Sequence, residues 1–106
     1  MRTLKHPPRG DIQLTDVFHA LSDPTRLAIV RGLDGVGERS CSGLDVPLSK
    51  STLSHHLKVL RDSGVTHTRI EGTHRLMSLR REDLEARFPG LLAVALRREP
   101  APYGPG

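Results

Sequence analysis

The chain has 106 residues, 36% of them hydrophobic and only 3% aromatic, with a formal charge of +4 and one cysteine. That length suits one compact domain whose core comes from Leu, Ile, Val and Ala rather than from aromatic rings. A single cysteine excludes an intramolecular disulfide framework and a multi-cysteine zinc cluster, and no apolar run resembles a signal peptide or approaches a membrane span, so the expected location is cytoplasmic.

Residues 1–10, "MRTLKHPPRG", read as a flexible basic arm without a packing face. Its Lys5 and Arg9 are open to two readings, an arm on nucleic acid or a solvated tail. From Asp11 to Leu21, Ile12, Val17, Phe18 and Leu21 recur at helical spacing, with Leu14 adding apolar content. A second helix opens at "SDPTRL": Asp23 suits the N-cap and Pro24 the first helical position, and Leu27, Ile29, Val30 and Leu33 give it a packing face. "DGVGE" (34–38) is a loop. "RSCSGLDVPL" is too rich in Ser, Gly and Pro for more than about a turn of helix before Pro47.

"SKSTLSHHLKVLRDSG" then predicts a helix over 50–62, capped by Ser49 and stopped by Gly64. Leu53, Leu57 and Leu60 line one side, and Ser51, Ser54, His55, Lys58 and Arg61 lie on or near the other. His56, three residues past Leu53, falls on the flank of the packing face as a hydrogen-bonded, partly buried residue. Alternation about Glu71-Gly72 predicts a two-stranded hairpin, 65–70 and 74–80, with Arg69, His74 and Arg75 flanking its tip. A last helical segment starts near Arg81, breaks at Pro89-Gly90 and resumes in "LLAVALRR". The domain is expected to span 11–98, and "EPAPYGPG" (99–106) is a disordered tail by composition.

Positive charge is concentrated. Between Lys50 and Arg81 there are seven basic and two acidic residues, a local charge of +5 that leaves −1 for the remainder. A helix pair followed by a basic β-hairpin is the pattern of a winged helix-turn-helix, in which the second helix enters the major groove and the hairpin reaches the backbone or minor groove. On this reading the DNA-contacting residues are Lys50, Ser51, Thr52, Ser54, His55, Lys58 and Arg61 of the helix with Arg69, His74 and Arg75 of the wing. Hydroxyls at a helix N-terminus suit phosphate, Ser51, Thr52, Ser54 and His55 also reach base edges, and wing arginines add charge blind to sequence.

In order and spacing, "HALSDPTRLAIVRGL", "SKSTLSHHLKVLRDSGV" and "EGTHRLMSLRREDL" resemble the ArsR/SmtB family of small bacterial transcriptional repressors over roughly residues 12–97. The resemblance implies a mainly α fold with a β-hairpin wing, and a homodimer built largely from the first and last helices. It also implies binding to an inverted repeat in a promoter, with release when an effector binds. Apolar surface in those helices supplies the candidate dimer residues Ile12, Val17, Leu91, Leu92, Val94 and Leu96. A symmetric pair would match a palindromic operator.

Two metal sites common in the family do not transfer. Where one uses a pair of cysteines one residue apart, this chain has Cys41 and then Gly43, and no histidine lies between Leu84 and Arg98 to build the second. No metal or cofactor is therefore expected. Cys41 itself is open to three readings: a small hydrophobe at the core edge, a redox switch activated by a nearby Arg39, or a metal ligand. Against the DNA-binding regulator stand two rivals, a winged-helix protein-interaction module and a small enzyme using Cys41. The local +5 charge disfavours the first, and the lack of a legible His–carboxylate arrangement disfavours the second.

Overall fold

The computed structural model describes residues 4–41, 44 and 47–97. After a single 3-10 turn at Arg9–Asp11 come α1 (Leu14–Leu21), α2 (Pro24–Leu33), β1 (Glu38–Ser40), α3 (Lys50–Asp62), β2 (Thr66–Glu71), β3 (His74–Leu79), α4 (Arg81–Arg87) and α5 (Leu91–Ala95). Side-chain caps fix the two central helices. The Asp23 carboxylate accepts from the Arg26 amide at 3.0 Å, and Ser49 Oγ accepts from the Thr52 amide at 3.3 Å.

At its far end α3 stops in a Schellman turn, with the Val65 amide donating to the Leu60 carbonyl and the Gly64 amide to that of Arg61, each at 3.1 Å. Gly64 has φ 87°. Its α-carbon also lies so close to Ile12 that a Cβ there would meet Ile12 Cγ1 at 2.6 Å. Both the backbone conformation and the close approach require glycine.

The wing is an antiparallel hairpin, pairing Thr66 with Leu79 through to Glu71 with His74. Gly72, with φ 59°, takes the first of its two turn positions. The sheet has three strands in the order β1-β3-β2, with Glu38 opposite Ser78 and Ser40 opposite Leu76. The sequence suggests a loop at 34–38 and two strands. β1 escapes a reading of periodicity because three residues, two of them exposed, form a strand only by pairing with β3.

The core gathers Val17 and Ala20 of α1, Ile29, Val30 and Leu33 of α2, Leu60, Val65, Met77, Leu84 of α4 and Leu92 of α5, with Ile12 ahead of them all. Ile12, Val17 and Leu92 are thus buried within one chain. Of the residues expected at a dimer surface, only Val94 is fully open, with Leu91 and Leu96 half-buried. The outward apolar surface of the first and last helices falls on Leu14 (40% exposed) and Phe18 (56%) together with Val94 (76%). Helical phase is the reason: Val17 turns inward, so its neighbour Phe18 turns out.

Residues 4–11 differ from the expected arm without a packing face. They lie against β2 and α4: the Thr68 amide donates to His6 Nε2 at 3.0 Å, Arg80 donates to the Pro7 carbonyl at 2.8 Å, and Arg9 pairs with Asp83 at 2.7 Å. The expected tail, 99–106, lies outside the described residues, as does much of "SCSGLDVP". Among the described residues no helix is long and apolar enough to cross a membrane.

Candidate nucleic-acid interface

α3 presents its polar side as a consequence of its packing. Leu60 is buried and Leu53 and Leu57 half-buried, which leaves Lys50, Ser51, Thr52, Ser54, His55 and Lys58 exposed. At its start Ser49 Oγ donates to Thr52 Oγ1 at 2.9 Å and lies 3.3 Å from Ser51 Oγ, so three hydroxyls form one cluster at the positive end of the helix dipole.

Between α3 and the wing runs an open cleft of about 620 Å³. Lys50, Lys58 and Arg61 line it from the helix and Arg75 from β3, with Ser54 and the buried Thr68 between them. Lys58 pairs with Asp62 at 2.5 Å, an exposed helical i,i+4 contact of small energetic weight. The side chains of Lys50, Arg61 and Arg75 have no hydrogen-bond or ion-pair partner among the described residues. Positive charge held this way, along a groove beside an exposed helix, attracts a polyanion.

Arg69 stands apart from these. It donates to both Glu38 oxygens, at 2.6 and 2.9 Å, and pairs with Glu71 at 2.9 Å, tying β2 to β1 across the sheet. The hydrogen bonds from Arg69 hold the Glu38 carboxyl below its ordinary value and raise the guanidinium's own. His74 is exposed beside the turn.

His56 behaves as its position predicts: half-buried, with Nδ1 accepting from Arg26 at 3.1 Å. Sequence reasoning missed Arg26. Only 7% exposed, it also donates to the last-turn carbonyls of α1, Ala20 at 2.7 Å and His19 at 3.2 Å. One guanidinium therefore closes the end of α1 and locks α3 against it. The sequence shows only an arginine in the first turn of α2; its partners on α1 and α3 are set by packing.

Cys41 is half-buried at the edge of the core and also lines the cleft. Burial raises its pKa, while Arg75 and Arg61 oppose that shift more weakly. Arg39 is not the activating neighbour that the sequence suggested; it reaches toward the Gly32 carbonyl at 3.4 Å. Among the described residues no group of three or more His, Cys, Asp or Glu side chains is placed to hold a metal ion.

A capped helix pair, a three-stranded sheet with a hairpin wing, and a basic cleft between recognition helix and wing define a winged helix-turn-helix DNA-binding protein. Residues 21–69 match a helix-turn-helix domain family. An uncharacterized HTH-type transcriptional regulator of Bacillus subtilis, YceK, is 42% identical over 79 residues, covering 72% of this chain and 79% of its own. The arsenical resistance operon repressor of Staphylococcus xylosus is 35% identical over 74 residues, 69% of this chain and 71% of that one. Among solved structures, an ArsR-like transcriptional regulator from Rhodococcus superposes with a TM-score of 0.62 at 29% identity, covering 76% of this chain and 77% of the other. The chain belongs to the ArsR family of winged-helix transcriptional repressors. Its role is non-enzymatic DNA binding.

Proposed function

We propose that the chain acts in the cytoplasm as a homodimer on an inverted-repeat promoter operator, each α3 entering one major-groove half-site and each wing crossing the adjacent backbone. The observation that carries this is the convergence of Lys50, Lys58, Arg61 and Arg75 on one cleft beside the exposed polar face of α3. Ser51, Ser54 and His55 project from that face toward base edges, Thr52 is partly engaged by Ser49, and His74 extends the wing's reach. Arg69 adds charge at the wing while serving the sheet.

A second copy fits the face formed by Leu14, Phe18 and Val94, where α1, α2 and α5 enclose a shallow apolar hollow of about 660 Å³. Two-fold pairing through α1 and α5 sets the two α3 helices for half-sites about one helical turn of DNA apart. Cys41 is assigned to the core edge, since a thiol whose pKa is raised by burial has little thiolate at neutral pH.

Fluorescence anisotropy against duplexes from the gene's own upstream region tests the reading. Specific binding should be at least a thousandfold tighter than binding to unrelated DNA, and log K should fall linearly with log salt. Equal affinity for all duplexes with no salt slope would leave a protein-interaction module as the better account. Repeating the titration with oxidised protein and with added divalent metals tests release by an effector.

A further inference from the structure

β2 is an edge strand, because the sheet order leaves it with β3 on one side only. In the register observed, alternate amides of β2 point away from β3, and Thr68 is one of these. An exposed edge amide invites pairing with another chain. Here the Thr68 N–H donates to His6 Nε2 at 3.0 Å, so a side chain from the N-terminal segment closes the edge. The His6 ring also stacks on that of His67 from β2, with centroids 4.2 Å apart and planes 17° from parallel.

Successive contacts give the segment a direction. Ile12 sits on Gly64 at the foot of β2, the Pro7 carbonyl is held by Arg80, and His6 lies at the middle of the strand. From Ile12 back to His6 the chain climbs the flank of the wing.

We propose that residues 4–6 form a proton-released strap on the wing, anchored at Pro7 and Arg9: neutral His6 holds the strap to the β2 edge, and protonation of His6 lets it go. The chemistry is local. Nε2 can accept from the Thr68 amide only with its lone pair free; once protonated it presents N–H to N–H. The new cation would stack on His67 and face Arg80, at the junction of β3 and α4, and Arg61 of α3. Arg81, Glu82 and Asp83 of α4 share the same hollow, but Asp83 is already engaged by Arg9 and Arg80, and Arg81 by Asp34.

Burial first, then His67, Arg80 and Arg61, hold the His6 pKa below the ordinary 6.5. The strapped state therefore binds fewer protons than the released state, so its stability is full above about pH 6.5 and declines as the pH falls below it. What the fold gains is a proton-dependent wing, in the element that lies beside the candidate interface. The inference does not depend on DNA binding.

Amide hydrogen exchange of the full chain, read by NMR at about pH 7.5 and pH 5, tests it, with rates corrected for intrinsic exchange. The Arg69 amide, which faces β3, serves as the internal control. At the higher pH the Thr68 amide should be protected at least about tenfold more in the wild type than in His6→Ala. At the lower pH the wild type should fall to the level of His6→Ala while Arg69 stays protected. His6→Gln, whose side-chain carbonyl accepts without titrating, should hold Thr68 equally at both pH values. Equal Thr68 protection in wild type at both pH values, or no difference between wild type and His6→Ala at the higher pH, would overturn the proposal. So would a His6→Gln chain that loses protection on acidification in parallel with the wild type.

Discussion

Arg26 illustrates how much one side chain can organise. Its three contacts, to the Ala20 and His19 carbonyls and to His56, join the end of α1 to the flank of α3. Because the guanidinium is almost wholly buried, truncating it leaves the buried contact to the Ala20 carbonyl unmade, together with the part-buried ones to the His19 carbonyl and the His56 nitrogen. Arg26→Ala should lower unfolding stability by about 2–4 kcal/mol, measured by urea denaturation, a loss in the range of broken buried networks. His55 poses the opposite case. It is exposed and contributes nothing to the core. His55→Ala should leave stability unchanged and, if the residue reads a base edge, cost about 1–3 kcal/mol of discrimination between operator and altered sequence, measured by competition titration.

Among the elements, α3 and the wing depend on how they are joined. Gly64 sets that joint, with a positive φ and the Ile12 side chain against its α-carbon. Gly64→Ala combines strain with a clash against a buried residue and should cost about 2 kcal/mol or more in thermal or denaturant unfolding. Replacing a glycine that merely ended a helix in open space would cost about 1 kcal/mol, the penalty of an L-residue in the left-handed conformation. Within the wing, Arg75 and Arg69 should separate experimentally. Arg75 lines the cleft without an ion-pair partner among the described residues, whereas Arg69 is held by Glu38 and Glu71. Arg75→Ala should weaken binding to every duplex and reduce the salt slope by about 1, while Arg69→Ala should change the slope less. An equal loss from both would show that Arg69 leaves its carboxylates when DNA arrives.

For the whole molecule the central matter is the apolar face left open on one chain. Phe18 and Val94 are the most exposed large hydrophobic residues of that face, and Leu14 lies beside them. A cluster of that kind marks an interaction site more often than a solvated surface. Phe18→Asp should shift sedimentation velocity profiles from dimer to monomer and remove any dependence of Tm on protein concentration. The same change should weaken binding to a two-half-site operator far more than to a single half-site. A chain whose sedimentation is unaffected by Phe18→Asp would place the interface elsewhere.

The sequence alone determined the elements whose signals are local. The Asp23-Pro24 start of α2, the Ser49 cap and Gly64 stop of α3, and the hairpin about Gly72 were all legible, because caps and turns are written in consecutive residues. So was the exposed polar face of α3, since helical phase follows directly from the spacing of its leucines. Tertiary structure decided the rest. β1 exists through its pairing with β3, and the strap lies on the wing through bonds such as Thr68 to His6, which spans 62 positions. Ile12, Val17 and Leu92 became core because the elements around them converge, leaving Phe18 and Val94 outside. Arg69 and Arg75, both basic wing residues by sequence, differ because only one has carboxylates opposite it in the folded sheet. The division has one physical cause: backbone geometry is set by near neighbours along the chain, while burial and charge pairing are set by whatever folding brings across from it.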